Sequence, residues 1–318
     1  MNKNTAGSTG FNIRDFLTHY GTEEQCLAHL RDIRWPDGIP CKTCERVTRH
    51  HLIHARKCYS CQRCGTQTYP TAGTIFENSK VPLTSWFYTI FQISKTKTGI
   101  AAKQIQRELG VSHPTALRMC NTIRSCLDEQ PEMLSGIVEA DETYMGNSSR
   151  YLRGKRPRGR GTLKSPVVGV VERGGNVIAQ VVENTKRETV LPFVRENVSR
   201  YGKDGEPTEI FTDEYAIYNT LDENGYLHDS VCHGAKEYVK YRKEIADDGT
   251  YETTEVHTNT LEGFWSFPKG AQKVVHRGVS EKYLPGYLAE YTYRYNHRND
   301  EKPMFFSILE RAARVAPL

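Results

Sequence analysis

The sequence predicts an α+β multidomain protein: a small cysteine-bearing ribbon, a helical block behind it, and a larger α/β domain that ends in helices. Three observations carry this. Two Cys-x-x-Cys pairs lie close together at Cys41 and Cys61. Apolar residues recur at helical spacing after Leu83. From Gly136 the pattern changes to short β-branched runs, two of which reach an aspartate at Asp141 and Asp213.

The chain has 318 residues, of which 37% are hydrophobic and 25% charged, which fits two or three globular domains. The expected division is a helical segment at 1–35, the ribbon at 36–72, a helical block at 73–132 and the α/β domain at 133–318. No apolar run approaches the roughly 18 residues of a membrane span. Met1 to Gly10 is polar, without the apolar core of a secretion signal. Cytoplasmic placement is the expectation, with no membrane partner. In such a compartment nine cysteines argue against a disulfide framework.

In the ribbon, sixteen residues separate Cys44 from Cys61. Four thiolates at the spacing Cys41-x-x-Cys44 and Cys61-x-x-Cys64 suit a tetrahedral structural zinc ion with no open coordination position. Cys58-x-x-Cys61 is a competing pair. Gly65 favours Cys61 with Cys64, because a knuckle turns sharply after its second cysteine and glycine tolerates that turn best. Arg46, Arg49, Arg56, Lys57 and Arg63 give the ribbon positive charge that could meet DNA.

In the next block, Leu83, Trp86, Phe87, Ile90 and Phe91 mark a helix that Pro82 can start. A short helix from about Ala101 to Leu109 stops at Gly110, and Ser112 caps another from about Pro114 to Leu127. A helix, a tight Gly-containing turn and a helix is the helix-turn-helix plan. Its second helix offers His113, Thr115, Arg118 and Asn121 outward and Ala116, Leu117, Cys120 and Ile123 inward. The inward set alone is also what plain packing needs.

The α/β domain opens with a short run, Ile137 to Asp141, that ends in an acid. Pro166–Val171 and Val177–Val182 follow as a hairpin around Gly174-Gly175, then a helix from about Glu188 to Val198. Glu209–Asp213 is another strand ending in an acid, and a further strand is expected around Ser230–His233. A helix from near Asn259 carries Glu262, Trp265 and Lys269. Tyr287, Tyr291 and Tyr295 share a helix face, and a last helix runs from about Met304 to Val315. This order resembles a ribonuclease-H-like fold, with Asp141 on the central strand, Asp213 beside it and Glu262 approaching from a helix. Three such carboxylates can hold two Mg²⁺ ions, which clamp the attacking and leaving oxygens of a phosphodiester. Lys269 lies seven residues after Glu262, about two helical turns on, where it can hold a phosphate. Each acid alone reads equally as a solvated loop edge.

The net charge is +5 with a pI near 8.6. Much of it concentrates in Arg150, Arg153, Lys155, Arg156, Arg158, Arg160 and Lys164, with glycines at 154, 159 and 161 and no acid between. A flexible cationic arm suits phosphates, where neutralised charges release counterions. A solvated loop is the plainer reading.

The residues also resemble a known family. The quoted cysteine pairs, Gly73-Thr-Ile-Phe76, Leu109-Gly-Val-Ser112, Glu139-Ala-Asp-Glu-Thr143, Thr212-Asp213 with Tyr215 and Tyr218, His257-Thr-Asn-Thr-Leu-Glu-Gly-Phe-Trp265 and Tyr293-Arg-Tyr-Asn-His-Arg298 are similar to those of bacterial insertion-sequence DDE transposases with an N-terminal zinc ribbon. Within these the sequence is most similar to the insertion-sequence family numbered fifteen ninety-five. The resemblance implies DNA strand cleavage at transposon ends and joining to target DNA with Mg²⁺, with the acids on Asp141, Asp213 and Glu262. Asn259 competes with Glu262 for the third place, and a carboxylate is the better Mg²⁺ ligand. Asn259 and His257 are then placed behind the acids or against DNA. His233 is read as structural. Phe264 and Trp265 are read as core, with stacking on an extruded base as the alternative. Arg294, Asn296 and Arg298 either grip DNA or cap the C-terminal helix. Double-stranded DNA is the expected partner, and holding two transposon ends implies a homo-oligomer on DNA. Two other functions compete: a non-catalytic DNA-binding protein (a regulator or domesticated transposase), and a nuclease of the same fold that cleaves without joining.

Overall fold

The computed structural model describes residues 11–146, 162, 164–203, 205–235, 237–245 and 251–314. The chain divides into two compact units, one of residues 1–127 with 299–318 and one of residues 128–298. The last helix, read from sequence with the α/β domain, belongs to the first unit.

The first unit begins with helices α1 (Ile13–Tyr20) and α2 (Glu23–Arg34). Each opens with a reciprocal capping box, Asn12 with Asp15 and Thr22 with Gln25, so five backbone N–H groups are satisfied locally. The ribbon follows as β1 (Pro40–Cys41) paired with β2 (Arg46–Val47), then a three-stranded sheet of β3 (His50–Ile53), β4 (Cys58–Cys61) and β5 (Gln67–Thr68). Glu23 ties the pieces together. Its Oε2 accepts from Lys57 Nζ at 2.7 Å, and its Oε1 accepts from the Thr84 backbone N–H at 3.0 Å. The second bond supplies a cap that Pro82 cannot give to α3 (Leu83–Lys95).

Helices α4 (Ala102–Leu109) and α5 (His113–Ser125) form the expected pair. Gly110 takes the left-handed conformation at φ 66°, and Ser112 Oγ accepts from Thr115 N at 3.3 Å. Ala116, Cys120 and Ile123 face inward as their spacing predicts, together with Met119 and the wholly buried Arg124.

The unit closes with α9 (Met304–Arg314). Its Phe305 is 1% exposed and sits among aromatics, with ring centroids 4.8 Å from Phe11, 5.4 Å from Tyr20 and 6.1 Å from Phe91. Edge-to-face and offset contacts of this kind add to area burial.

The second unit is built on a five-stranded sheet of β6 (Ile137–Met145), β7 (Ser165–Glu172), β8 (Val177–Val181), β9 (Glu209–Thr212) and β10 (Leu227–Ser230), in the order β10-β9-β6-β7-β8. Strands β6, β7 and β8 are antiparallel neighbours, and β9 and β10 run parallel to β6. This is a ribonuclease-H-like arrangement with β6 at the centre. One face, with Val138, Ala140, Val168 and Val170, packs on α6 (Arg187–Asn197) through Val190, Phe193 and Val194. The other face, with Met145, Val167, Val171 and Val177, packs on α7 (Asn259–Val274) and α8 (Leu284–Asn296) through Leu261, Phe264, Trp265 and Leu288. Burial on both faces explains why β7 reads as a nearly continuous apolar run.

Three features depart from the sequence reading. Strand β6 does not end at Asp141 but continues to Met145, because Thr143 and Tyr144 pair with Val167 and Pro166. A hairpin of β11 (Lys240–Ile245) and β12 (Tyr251–Val256), unmarked by any alternating apolar pattern, precedes α7. The strand expected near Ser230–His233 lies earlier, at β10.

Replacing Phe305 by Ala should cost about 3–5 kcal/mol in the unfolding of the first unit, read by denaturant titration of its near-ultraviolet aromatic signal. A loss under about 1 kcal/mol would show that α9 is not part of that core.

Candidate active site

The residues at the centre of β6 alternate between the two sheet faces. Glu139 and Asp141 point to the α7 side, and Glu142 to the α6 side, where its Oε2 accepts from Tyr218 Oη at 3.1 Å.

Glu139 is wholly buried. Its Oε1 accepts from Arg173 Nε at 2.8 Å and Thr260 Oγ1 at 2.8 Å, and its Oε2 from the Leu261 backbone N–H at 3.0 Å. Arg173 also donates to the carbonyls of Glu255 at 2.6 Å and His257 at 3.0 Å. His257 Nδ1 faces Arg173 Nη2 at 2.9 Å and the Asn259 N–H at 3.3 Å. Two donors aimed at Nδ1 assign the ring proton to Nε2. The Glu139 Oε1 to His257 Nδ1 approach of 3.1 Å is then bridged by the guanidinium rather than being an ion pair of its own. His257 and the start of α7 are thus fixed to the sheet through one carboxylate.

Asp141 is held differently. Its Oδ2 accepts from Trp265 Nε1 at 3.0 Å. The indole reaches it across β7 because residue 169, directly opposite Asp141, is glycine. A Cβ there would stand 2.6 Å from the Trp265 ring. Burial pushes the Asp141 carboxyl up to about 7, and the nearby Glu142 and Asp213 charges push the same way, against the Trp265 hydrogen bond.

Asp213 follows the last residue of β9. The β6–β9 register ends at Glu139 opposite Phe211; carried on by two residues, it sets Asp213 beside Asp141. Asp213 Oδ1 accepts from Tyr215 N at 3.0 Å. The preceding Thr212 hydroxyl donates to the Asp213 carbonyl at 2.7 Å and meets His228 Nε2 at 2.9 Å.

Glu262 lies in the first turn of α7 with its side chain exposed. Lys269 is on the same helix and feels both Asp141 and Glu262. Desolvation lowers its ammonium pKa, helped by Lys164, while the two carboxylates raise it. The three acids are not drawn into one tight cluster. Among the described residues, the group of three or more His, Cys, Asp or Glu with ligand atoms all within 4.8 Å is the cysteine quartet.

That quartet is Cys41, Cys44, Cys61 and Cys64. A tetrahedral ion at about 2.3 Å from each sulfur needs sulfurs about 3.8 Å apart, so the thiols fit zinc. Both knuckles close in the same way, with Glu45 N bonded to Cys41 O and Gly65 N to Cys61 O, each at 2.9 Å. Gly65 has φ 76° and Glu45 has φ 54°, so the turn that glycine relieves in the second knuckle falls on a glutamate in the first. The Thr48 hydroxyl, 3.1 Å from Cys61 Sγ, is the main reason that thiol falls to about 6. Cys44 is pushed up to about 12, chiefly by its hydrogen bond with Cys64. Cys58 is outside the quartet, with its Sγ 3.7 Å from Gln67 Oε1.

Two segments of the chain match family models: residues 133–296 match an ISXO2-like transposase domain and residues 21–67 a transposase zinc-ribbon domain. The chain belongs to the ISXO2-like (IS1595) transposase family. A relative from Halobacterium salinarum, an uncharacterized protein in transposable element ISH50, is 30% identical over 92% of this chain and 97% of its own length. Two solved structures are more distant. A pre-cleavage Mos1 transpososome is 12% identical, covering 71% of this chain and 78% of that one, with a TM-score of 0.28. A Mos1 strand transfer complex is 10% identical, covering 72% and 75%, with a TM-score of 0.27.

Other residues singled out from the sequence fall as follows. Arg118 is exposed on α5, its guanidinium 5.8 Å from the Trp86 ring centre, and Asn121 Oδ1 accepts from Arg124 Nη1 at 3.3 Å. Arg153, Lys155, Arg156, Arg158 and Arg160 lie outside the described residues. Asn259 is exposed at the first position of α7. Phe264 and Trp265 are both 2% exposed, which corrects the base-stacking alternative: their rings are core. Asn296 pairs with both backbone groups of Val177 on the edge strand, at 2.8 and 3.1 Å. Arg298 donates to the Gly175 carbonyl at 2.9 Å and Arg294 pairs with the buried Glu290 at 2.8 Å. These three hold the sheet edge and helix α8 in place. Sequence reasoning missed Arg173, which carries no motif signal. It also passed over Gly169, though a lone glycine inside Val-Val-Gly-Val-Val is a signal of close approach. No helix of the described chain is long and apolar enough to cross a membrane.

Two measurements follow from this geometry. Cys61→Ser should lose the bound zinc while Cys58→Ser keeps it, as read by metal content after gel filtration; equal loss in both would put Cys58 in the coordination sphere. Gly169→Ala should displace Trp265 and shift its fluorescence, with Trp265→Phe showing which part of the emission is its own, and a spectrum unchanged from wild type would contradict the packing over residue 169.

Proposed function

We propose that this transposase cuts phosphodiester bonds at the ends of its own insertion sequence and joins them to target DNA, with Asp141, Asp213 and Glu262 holding two Mg²⁺ ions. The observation that carries the reading is the setting of Asp213 beside Asp141 on adjacent parallel strands, under a helix bearing Glu262 and Lys269. The relative found in a transposable element supports the choice of substrate.

The acids fit the group. Burial is the main reason Asp141 holds its proton up to about pH 7, and the neighbouring Glu142 and Asp213 carboxylates add to it, so a cation there would meet more than one acid. Bound there, divalent cations would stabilise both the attacking and the leaving oxygen of an in-line displacement. Asp141, being central, is the acid assigned to both ions, with Asp213 and Glu262 on one each. Glu262 is exposed in the first turn of α7, on the helix that also carries Lys269. Lys269 is assigned to a DNA phosphate beside the acids. Trp265 keeps the Asp141 carboxylate turned to one side. Helix α5 is assigned to the major groove through Arg118 and Asn121. Two ends must be held together, so the active species is a homo-oligomer on DNA.

Labelled DNA from the flanks of the gene should be nicked and joined in the presence of Mg²⁺ or Mn²⁺. Asp213→Asn, which keeps shape and removes charge, should lower the rate by about 100-fold or more. Activity that survives this change sinks the assignment of the acids. Binding without cleavage by the wild type would favour a DNA-binding protein without catalysis.

A further inference from the structure

Two sets of basic residues in the ribbon are partnered differently. Toward α2, Lys57 Nζ pairs with Glu23 at 2.7 Å and His54 Nδ1 lies 3.2 Å from Glu24. That side is neutralised by the chain itself. On another side, Arg46, Arg49 and Arg63 line an open cleft of about 420 Å³ together with Val47, Thr48 and Gln62. All three arginines are exposed, and among the described residues no acid pairs with any of them.

The cleft is a product of the metal knuckles. Arg46 lies on β2, directly opposite Cys41. Arg63 stands between Cys61 and Cys64. Arg49 is joined to the second knuckle by a bond from Gln62 N to its carbonyl at 2.9 Å. Thr48, on the cleft wall, touches Cys61 Sγ. Three like charges held close repel one another, and a polyanion relieves that repulsion. Guanidinium forks match phosphate oxygens in geometry as well as charge. An open, shallow cleft suits a backbone running through it better than an enclosed small molecule.

We propose that the Arg46–Arg49–Arg63 cleft docks the phosphate backbone of duplex DNA, independently of sequence, and that the cysteine quartet serves to hold these arginines together. This rests on the reading of the protein as acting on DNA.

The test uses the full-length, zinc-loaded protein and a short labelled duplex, with binding followed by fluorescence anisotropy across a salt series. Replacing Arg46, Arg49 and Arg63 together by Ala should flatten the slope of log K against log salt by about 2–3, near 0.9 for each phosphate that is no longer neutralised. The weakening should be the same on end DNA and on an unrelated duplex, while Lys57→Ala leaves the slope unchanged. The single charge reversal Arg63→Glu should weaken binding with zinc content intact, which covers the case in which the triple variant fails to hold metal. An unchanged slope in a zinc-replete triple variant overturns the proposal, as does a weakening confined to end DNA. A wild-type protein that fails to bind any duplex at low salt would instead overturn the DNA reading beneath it.

Discussion

The catalytic unit is organised around a carboxylate with no access to water. Glu139 lies in the middle of the sheet and takes three donors from two places in the chain: Arg173 just past β7, and the Thr260 hydroxyl with the Leu261 backbone at the start of α7. Helix α7 has no side-chain N-cap of its own. Glu139 supplies one from the sheet, where an anion also meets the positive end of the helix dipole. Losing one partner of a buried, hydrogen-bonded pair costs about 3–5 kcal/mol, so the start of α7 has little freedom to drift. Everything that α7 carries inherits that position. Trp265 reaches Asp141 only because the helix crosses β7 where residue 169 has no side chain.

Glu139 and Asp141 are two residues apart on one strand and face the same way, yet their surroundings differ. Glu139 has its acceptors filled and a guanidinium in contact. Asp141 has one indole N–H and two carboxylates for neighbours, and burial first, then those carboxylates, raise its acid to about 7. The first arrangement is closed and does structural service. The second leaves charge unresolved at the one point where two strands and a helix meet, which is the kind of local conflict a fold keeps for function.

What could be read in advance follows from how local each feature is. The ribbon was legible because zinc demands fixed short spacings, and the structure brings together the four thiols that Gly65 favoured. The α4–α5 pair was legible because Gly110 and Ser112 are local stop and start signals. Asp141 and Asp213 stood out as acids on apolar strands, although β6 runs on past Asp141 through pairing that a single run does not display. Arg173 was invisible because its partners lie 34 and 84 residues away. The β11–β12 hairpin lacked a pattern because its Tyr241 and Tyr251 stay exposed. Helix α9 reads naturally with its sequence neighbours, whereas its aromatic face is satisfied by Phe11 and Tyr20 at the far end of the chain.

Composition and motif treat all arginines alike, and the structure separates them by whether the chain already neutralises them. Arg173 is surrounded by Glu139, Glu255 and His257 backbone and side-chain oxygens and nitrogens, and Arg294 is matched to Glu290. Arg298 is engaged with the turn after β7. Arg173 and Arg294 are neutralised by buried carboxylates, whereas Arg298, exposed, meets backbone carbonyls and no acid among the described residues. Arg46, Arg49 and Arg63 are the reverse of the first two: exposed, close together and without an acid among the described residues. Isolated surface cations are worth little, because water solvates them nearly as well as a partner does. Three that line one cleft differ, since a single polyanion can meet them together and relieve their mutual repulsion. Their place beside the cysteine knuckles, more than the count of positive charges, sets these arginines apart from the rest of the basic surface.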